Sequence, residues 1–295
     1  MSLIEKFAGT GVAIVTPFNS DSTIDFNALT KIVNHIIEGG CEYIVVLGTT
    51  GESVTLSSGE KKLVMRCVVE VTKNRVALML GMGGNNTQEL VSQLKSTDFT
   101  GFSAVLSVSP YYNKPNQEGI YKHYVSVAEA SPLPVLLYNV PGRTGANMTA
   151  ETTLRLAAHS NIFGIKEASG NLDQCMDILN QKPADFMVIS GDDALTLPLI
   201  ALGMNGVISV VANAYPKIYS AMARHALEGD FKSARVLHYN LLNTIKNMFA
   251  DGSPGGVKAY LNLMNLCQEK VREPLEKVGE QTKAKIIKDY KNLLD

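Results

Sequence analysis

The 295-residue chain has no tryptophan and only 7% aromatic residues, so any core must be built mainly from aliphatic side chains. Cysteine is scarce as well. Cys41, Cys67, Cys175 and Cys267 lie far apart, with no CxxC and no histidine at ligand spacing. That excludes the usual zinc and redox signatures and argues against a disulfide framework; each is expected to be a small buried apolar residue. Neither charge sign dominates. With 27 basic and 28 acidic residues the formal net charge is −1, which gives no whole-protein field for nucleic acid or an anionic membrane. No apolar run approaches the ~20 residues that span a bilayer. The opening MSLIEKFAGTGVAIVTPF lacks the basic start and small-residue cleavage site of a signal peptide, so a reducing cytoplasm is the expected location. No GxSxG, P-loop or GxGxxG occurs, and the five histidines show no metal-ligand pairing.

What is present is 45% apolar sequence, enough for a packed interior, arranged as short apolar runs alternating with amphipathic segments. Strands are expected over 11–15, 43–47, 76–80, 104–108, 135–138, 162–166, 187–190 and 206–209. Most of these runs are continuous rather than alternating, as for parallel strands covered on both faces. Leu29, Ile32, Val33, Ile36 and Ile37 form one helical stripe, and Leu63, Val64, Cys67, Val68 and Val71 another. Ser57 with Glu60, and Asn86 with Glu89, have capping-box spacing. Gly39 and Gly203 stand where helix ends need a left-handed residue, and Pro216 suits a first helical turn. Eight strands alternating with helices predict an α/β fold, a (β/α)8 TIM barrel, over 1–230. The 86 residues after Ser209 exceed what one barrel helix needs, so 231–295 are expected to form a C-terminal helical extension. A doubly wound open sheet is the alternative, but Thr16-Pro17-Phe18 after the first strand is no dinucleotide fingerprint.

In a barrel, chemistry belongs at the carboxyl ends of the strands. There stand Gly48-Thr49-Thr50-Gly51-Glu52, Ser109-Pro110-Tyr111-Tyr112, Tyr138 to Arg143, Lys166 and Ser209. Lys166 follows four uncharged residues. A desolvated stem would favour a nucleophilic amine, whereas a snorkelling strand-end lysine is the bland reading. Tyr138 is either a proton shuttle beside it or a barrel tyrosine satisfied by a carbonyl. Thr49 and Thr50 either hold a carboxylate or make a plain turn. Arg143 either clamps a carboxylate or is an ordinary loop arginine. Glu52 is read as a turn stabiliser and Asp192-Asp193 as helix capping rather than a metal site. The charged run over 283–291 reads as a solvated amphipathic helix.

Taken in order, GTTGES, Pro110-Tyr111-Tyr112, YNVPGRTG, GIKEASG, SGDDA and GVISV resemble the dihydrodipicolinate synthase (4-hydroxy-tetrahydrodipicolinate synthase) family over nearly the whole chain. The resemblance implies a class I aldolase-type lyase of the diaminopimelate route to lysine, without metal or other cofactor. Lys166 would form a Schiff base with pyruvate, and the resulting enamine would attack L-aspartate 4-semialdehyde. Tyr138, Thr49 and Tyr112 would form a proton relay, with Tyr112 reaching into a neighbouring subunit. Thr50 would bind the pyruvate carboxylate and Arg143 that of the semialdehyde, while Gly191 and the Ile208 carbonyl line the pocket. A homotetramer built as a dimer of dimers is implied. The Thr-Thr turn and the Arg-Thr-Gly run have the synthase form rather than that of the sialic acid lyases.

Two departures stand out. Ser253-Pro254-Gly255-Gly256-Val257-Lys258 has lost a proline of the family's Asn-Pro-x-Pro-Val-Lys run, which is expected to loosen that turn. Ser53, Asn85, Glu89 and Tyr111 match a lysine feedback site, but Ser58 and Lys61 replace histidines, so lysine inhibition is expected to be weak or absent. The competing expectations are a pyruvate-dependent lyase for another oxo acid or sugar acid, and a catalytically silent barrel that binds a small acid.

Overall fold

The computed structural model describes residues 2–293, so the last two residues of the expected extension lie outside the described residues. Eight parallel strands close into a barrel in sequence order: β1 (Gly9–Ala13), β2 (Tyr43–Val46), β3 (Ala77–Gly81), β4 (Ala104–Val108), β5 (Val135–Asn139), β6 (Ile162–Glu167), β7 (Met187–Ser190) and β8 (Gly206–Ser209). β1 pairs with both β2 and β8, which closes the ring.

The two-residue strand period sorts the apolar runs into two cores. Tyr43, Val45, Met79, Leu106, Leu136, Tyr138, Phe163, Met187, Ile189 and Ile208 fill the barrel. Ile44, Val46, Leu80, Val105, Leu137, Ile165 and Val188 point outward to the helices. A short helix, Leu3–Phe7, brings Phe7 against Tyr43 (ring centroids 5.2 Å apart, edge-on) and Phe163 (5.7 Å). These aromatic rings pack at the amino-terminal end of the barrel and leave its carboxyl end for polar groups.

Helix Phe26–Glu38 buries Leu29, Ile32, Val33 and Ile36 as its stripe predicts, with Ile37 only half-buried. Helix Ser58–Thr72 starts on the expected Ser57–Glu60 box, but its stripe is narrower: Val64, Val68 and Thr72 are buried while Leu63 is 47% exposed. The Asn86 cap is one-sided, accepting from the Glu89 amide without the return bond. Gly39 is right-handed (φ −72°), and the left-handed position falls one residue later, at Gly40 (φ 79°). Gly203 is left-handed (φ 111°) and Pro216 opens helix Pro216–Leu227. β1 begins and ends two residues before its predicted bounds, because Val15 leaves the ladder to donate its amide to Asn213 (3.1 Å). Cys41, Cys175 and Cys267 are buried and Cys67 is half-buried.

Beyond the barrel run helices Phe231–Phe249, Gly255–Leu263 and Glu280–Asn292. The 253–256 turn, where the family's second proline is replaced by Gly256, leads into helix Gly255–Leu263. Gly255 and Gly256 are buried, and a Cβ on Gly256 would collide with the Met248 carbonyl, so the glycine allows two helices to approach closely. No helix among the described residues is long and apolar enough to cross a membrane.

Candidate active site

β5 and β6 pair so that Tyr138 and Lys166 are direct partners, each one residue from its strand's carboxyl end. Both side chains project to the barrel interior, since the intervening Leu137 and Ile165 belong to the outer core. The Lys166 side chain is only 6% exposed, and its ammonium lies 4.2 Å from the centroid of the Tyr138 ring. Gly191, just past β7, makes room for it. A Cβ there would come within 2.8 Å of Lys166 Cε and 2.6 Å of Ala168 Cβ.

Behind the lysine, Glu167 faces the other way into a buried polar network. Its carboxylate accepts from Asn139 Nδ2 (3.0 Å), Gln174 Nε2 (3.1 Å) and the Ser169 amide (2.6 Å). Asn139 is tied in turn to Asn147 and to the Met148 amide. These bonds pin the ends of β5 and β6, and with them the backbone that carries Tyr138 and Lys166. Across the rim, Ser209 Oγ donates to Asp193 Oδ1 (2.5 Å) and the Val210 amide to Oδ2 (3.1 Å). Burial holds the Asp193 carboxyl above its usual range, against the effect of these donors. Asp193 therefore braces β8 rather than capping a helix, whereas Asp192 closes a local turn onto the Ala194 and Leu195 amides. Among the described residues no group of three His, Cys, Asp or Glu side chains is placed to hold a metal ion.

After β2 the chain makes a single 3₁₀ turn, Thr49–Gly51, in which Thr49 is exposed and Thr50 buried. Thr49, Tyr138 and Arg143 line one cavity of about 1020 Å³, and Arg143 sits on a one-turn helix, Pro141–Thr144, that Pro141 opens. The cavity runs outward along Ser53, Ser58, Lys61 and Tyr111. Asn85 and Glu89 are exposed beside it, Asn85 donating to the Tyr111 carbonyl (3.2 Å). The Ile208 side chain is buried inside the barrel. Tyr112 stands apart. It is 87% exposed with φ 74°, and its backbone N–H donates to the Thr144 carbonyl (3.4 Å). The chain thus brings Lys166, Tyr138 and Gly191 into contact and sets Thr49 and Arg143 on the same cavity as Tyr138, but leaves Tyr112 in solvent.

The profile of the dihydrodipicolinate synthetase family matches residues 6–293. The chain belongs to that family. Among its relatives is the 4-hydroxy-tetrahydrodipicolinate synthase of Flavobacterium psychrophilum, 55% identical over 94% of this chain and 95% of that protein. A crystal structure of a dihydrodipicolinate synthase superimposes with a TM-score of 0.93 at 45% identity, covering 97% of this chain and 99% of the other. A monomeric dihydrodipicolinate synthase variant gives 0.95 at 36% identity over 98% of each chain. What sequence reasoning missed in this dihydrodipicolinate synthetase family barrel is the supporting network: the Glu167–Asn139–Gln174 bonds and the Asp193–Ser209 bond. Glu167, Asn139, Asp193 and Ser209 signal only as polar residues ending or following an apolar strand, Gln174 sits within helix Leu172–Gln181, and no local pattern says which of them meet.

Proposed function

We propose that this chain is a 4-hydroxy-tetrahydrodipicolinate synthase, a class I aldolase-type lyase that condenses pyruvate with L-aspartate 4-semialdehyde in the diaminopimelate route to lysine. The observation that carries the reading is Lys166, buried at a strand's carboxyl end against the Tyr138 ring. The Lys166 amine attacks the pyruvate ketone carbon, and water leaves after proton transfer from the Tyr138 side, giving an iminium. The iminium draws electrons from the methyl C–H bond, and loss of that proton gives the enamine. The enamine carbon bonds to the aldehyde carbon of the semialdehyde while its oxygen takes up a proton. The substrate's own amino group then adds to the former ketone carbon and releases Lys166.

The 3₁₀ turn at Thr49–Gly51 supports the relay role of Thr49, which lines the cavity with Tyr138, and the carboxylate role of the adjoining, buried Thr50. Arg143 on that cavity supports recognition of the second carboxylate, with a guanidinium suited to bidentate binding. The exposed Tyr112 supports a relay completed by a second copy, and the family resemblance extends this to a homotetramer of paired dimers. The same reading divides the chain into a barrel unit over 1–230 and a helical unit over 231–295. It places the enzyme in the cytoplasm, away from membrane and nucleic acid.

Borohydride reduction in the presence of pyruvate, followed by peptide mapping, tests the reading. A pyruvate adduct on Lys166 is expected, and a folded protein that forms none overturns it. A panel of aldehyde acceptors tests the second substrate: Arg143→Ala should damage semialdehyde use far more than pyruvate capture.

A further inference from the structure

A buried ion pair lies outside the chemistry described above. Glu52 and Lys258, 206 residues apart, both have fully buried side chains and form an ion pair at 2.5 Å. Glu52 Oε2 also accepts the Arg272 amide (2.9 Å), and Lys258 donates a second bond to the Lys270 carbonyl (2.8 Å). Both cations face one ring. The Lys258 ammonium lies 4.3 Å and the Arg272 guanidinium 4.5 Å from the Phe18 centroid. Arg272 continues to the Thr55 carbonyl (2.8 Å) and the Glu60 carboxylate.

Glu52 is also the residue that ends the Thr49–Gly51 turn. It is left-handed (φ 51°), a conformation unfavourable to a side-chain-bearing residue, and its amide donates to the Thr49 carbonyl (3.1 Å). The neighbouring Gly51 carbonyl is held by Thr16 Oγ1 (2.7 Å). Replacing a buried ion pair by apolar groups is often neutral or stabilising, so bulk stability is a poor account of this pair. Directional bonds to a left-handed residue are a better one: two donors from the C-terminal segment fix where the Glu52 carboxylate lies, and so how the preceding turn closes.

We propose that Glu52 and Lys258 are positioning residues that set the Thr49–Thr50 turn, so that the C-terminal segment 258–272 governs pyruvate affinity. This rests on the reading that the turn binds the pyruvate carboxylate. Neither residue touches substrate. The pair acts through the turn's backbone.

The test compares the full-length wild type with Lys258→Met, with Glu52→Asp, which keeps the charge but shortens its reach, and with Lys283→Met. The last removes an ion pair to Glu269 in the same extension that does not touch Glu52. All are assayed where circular dichroism shows them folded. For Lys258→Met and Glu52→Asp the pyruvate KM, and the pyruvate concentration for half-maximal borohydride trapping, should rise about tenfold, equivalent to losing one charged hydrogen bond. The KM for the semialdehyde should stay put, and Lys283→Met should match wild type. Should Lys258→Met fail to fold, Glu52→Asp alone decides. Folded variants that lose thermal stability but keep the wild-type pyruvate KM overturn the proposal. A wild type that traps no pyruvate on Lys166 overturns the functional reading and this inference with it, whereas normal trapping with unshifted variants overturns the inference alone.

Discussion

Tyr138 presents the face of its ring to the Lys166 ammonium at 4.2 Å, with the two residues in direct register across β5 and β6. Ring and phenol therefore have separable jobs: the ring packs the lysine stem and the hydroxyl moves protons. Tyr138→Phe keeps the first and deletes the second. It should still trap pyruvate on Lys166, while kcat falls by about 10² or more, the usual contribution of one acid–base group. Steady-state kinetics beside trapping separates the two effects. A near-normal kcat would remove the phenol from the relay.

Gly191 tests how tightly the lysine is placed. A methyl group there would meet Lys166 Cε at 2.8 Å and Ala168 Cβ at 2.6 Å, closer than real Cβ contacts. The flexible lysine can swing away, but Ala168 Cβ yields only with its backbone, so both the lysine and the strand end must shift. Gly191→Ala should cost about 1–3 kcal/mol of stability from overpacking and slow adduct formation by about 10². Gly84→Ala, at a position with no atom within 4 Å, should change neither. Thermal melts and single-turnover trapping check both.

His123 gives the fold a pH signature. Its Nδ1 shares a 2.8 Å hydrogen bond with Thr87 Oγ1, and its Nε2 is buried without a partner among the described residues. Burial pushes its pKa from 6.5 down to about 4. The unfolded chain therefore takes up a proton near pH 6.5 that the folded chain refuses until about pH 4. Stability should fall with pH across that window, by about 3 kcal/mol in total at ~1.4 per unit. His123→Gln should remove this part of the slope. Urea titrations at several pH values would show it, and an unchanged slope would exclude His123 as its source.

The cavity holds a second forecast. Ser58 and Lys61 line it together with Ser53 and Tyr111, so a ligand entering that arm with an ammonium group meets a like charge. Lysine should inhibit weakly or not at all, and Lys61→His should strengthen whatever inhibition exists. A rate titration of both proteins decides; strong inhibition of the wild type would show that Lys61 does not repel the ligand.

The barrel and the polar residues at its carboxyl end were legible because their signals are local. Continuous apolar runs announce strands buried on both faces, and a lysine next to the end of one of them stands out. Strand ends shifted where a distant side chain captured a backbone amide, as Asn213 does at Val15. The stripe containing Leu63 was overestimated because periodicity does not say how wide a face its neighbours cover. The missing proline at position 256 carries no sign that Gly256 is the contact point with the Met248 carbonyl. Glu52 was legible as a turn residue, but its partners lie 206 and 220 residues away, beyond any spacing rule.

Tyr112 carries the last prediction. In a single chain it is 87% exposed on a left-handed residue, beside a rim whose other candidate relay members, Tyr138 and Thr49, share a cavity. A phenol so placed can serve only a site it is brought to, and a second copy is the simplest carrier. Tyr112→Phe alone should cripple turnover yet leave pyruvate trapping intact, and Lys166→Ala should abolish both. Mixing the two inactive proteins under conditions of subunit exchange distinguishes service across the interface from service within the chain. If Tyr112 acts across it, each mixed dimer regains one complete site: an intact Lys166 from one copy and an intact Tyr112 from the other. With random pairing, half the dimers are mixed and activity should recover to about a quarter of wild type. If Tyr112 acts within its own chain, no mixture contains a complete site and activity stays at the level of the parents.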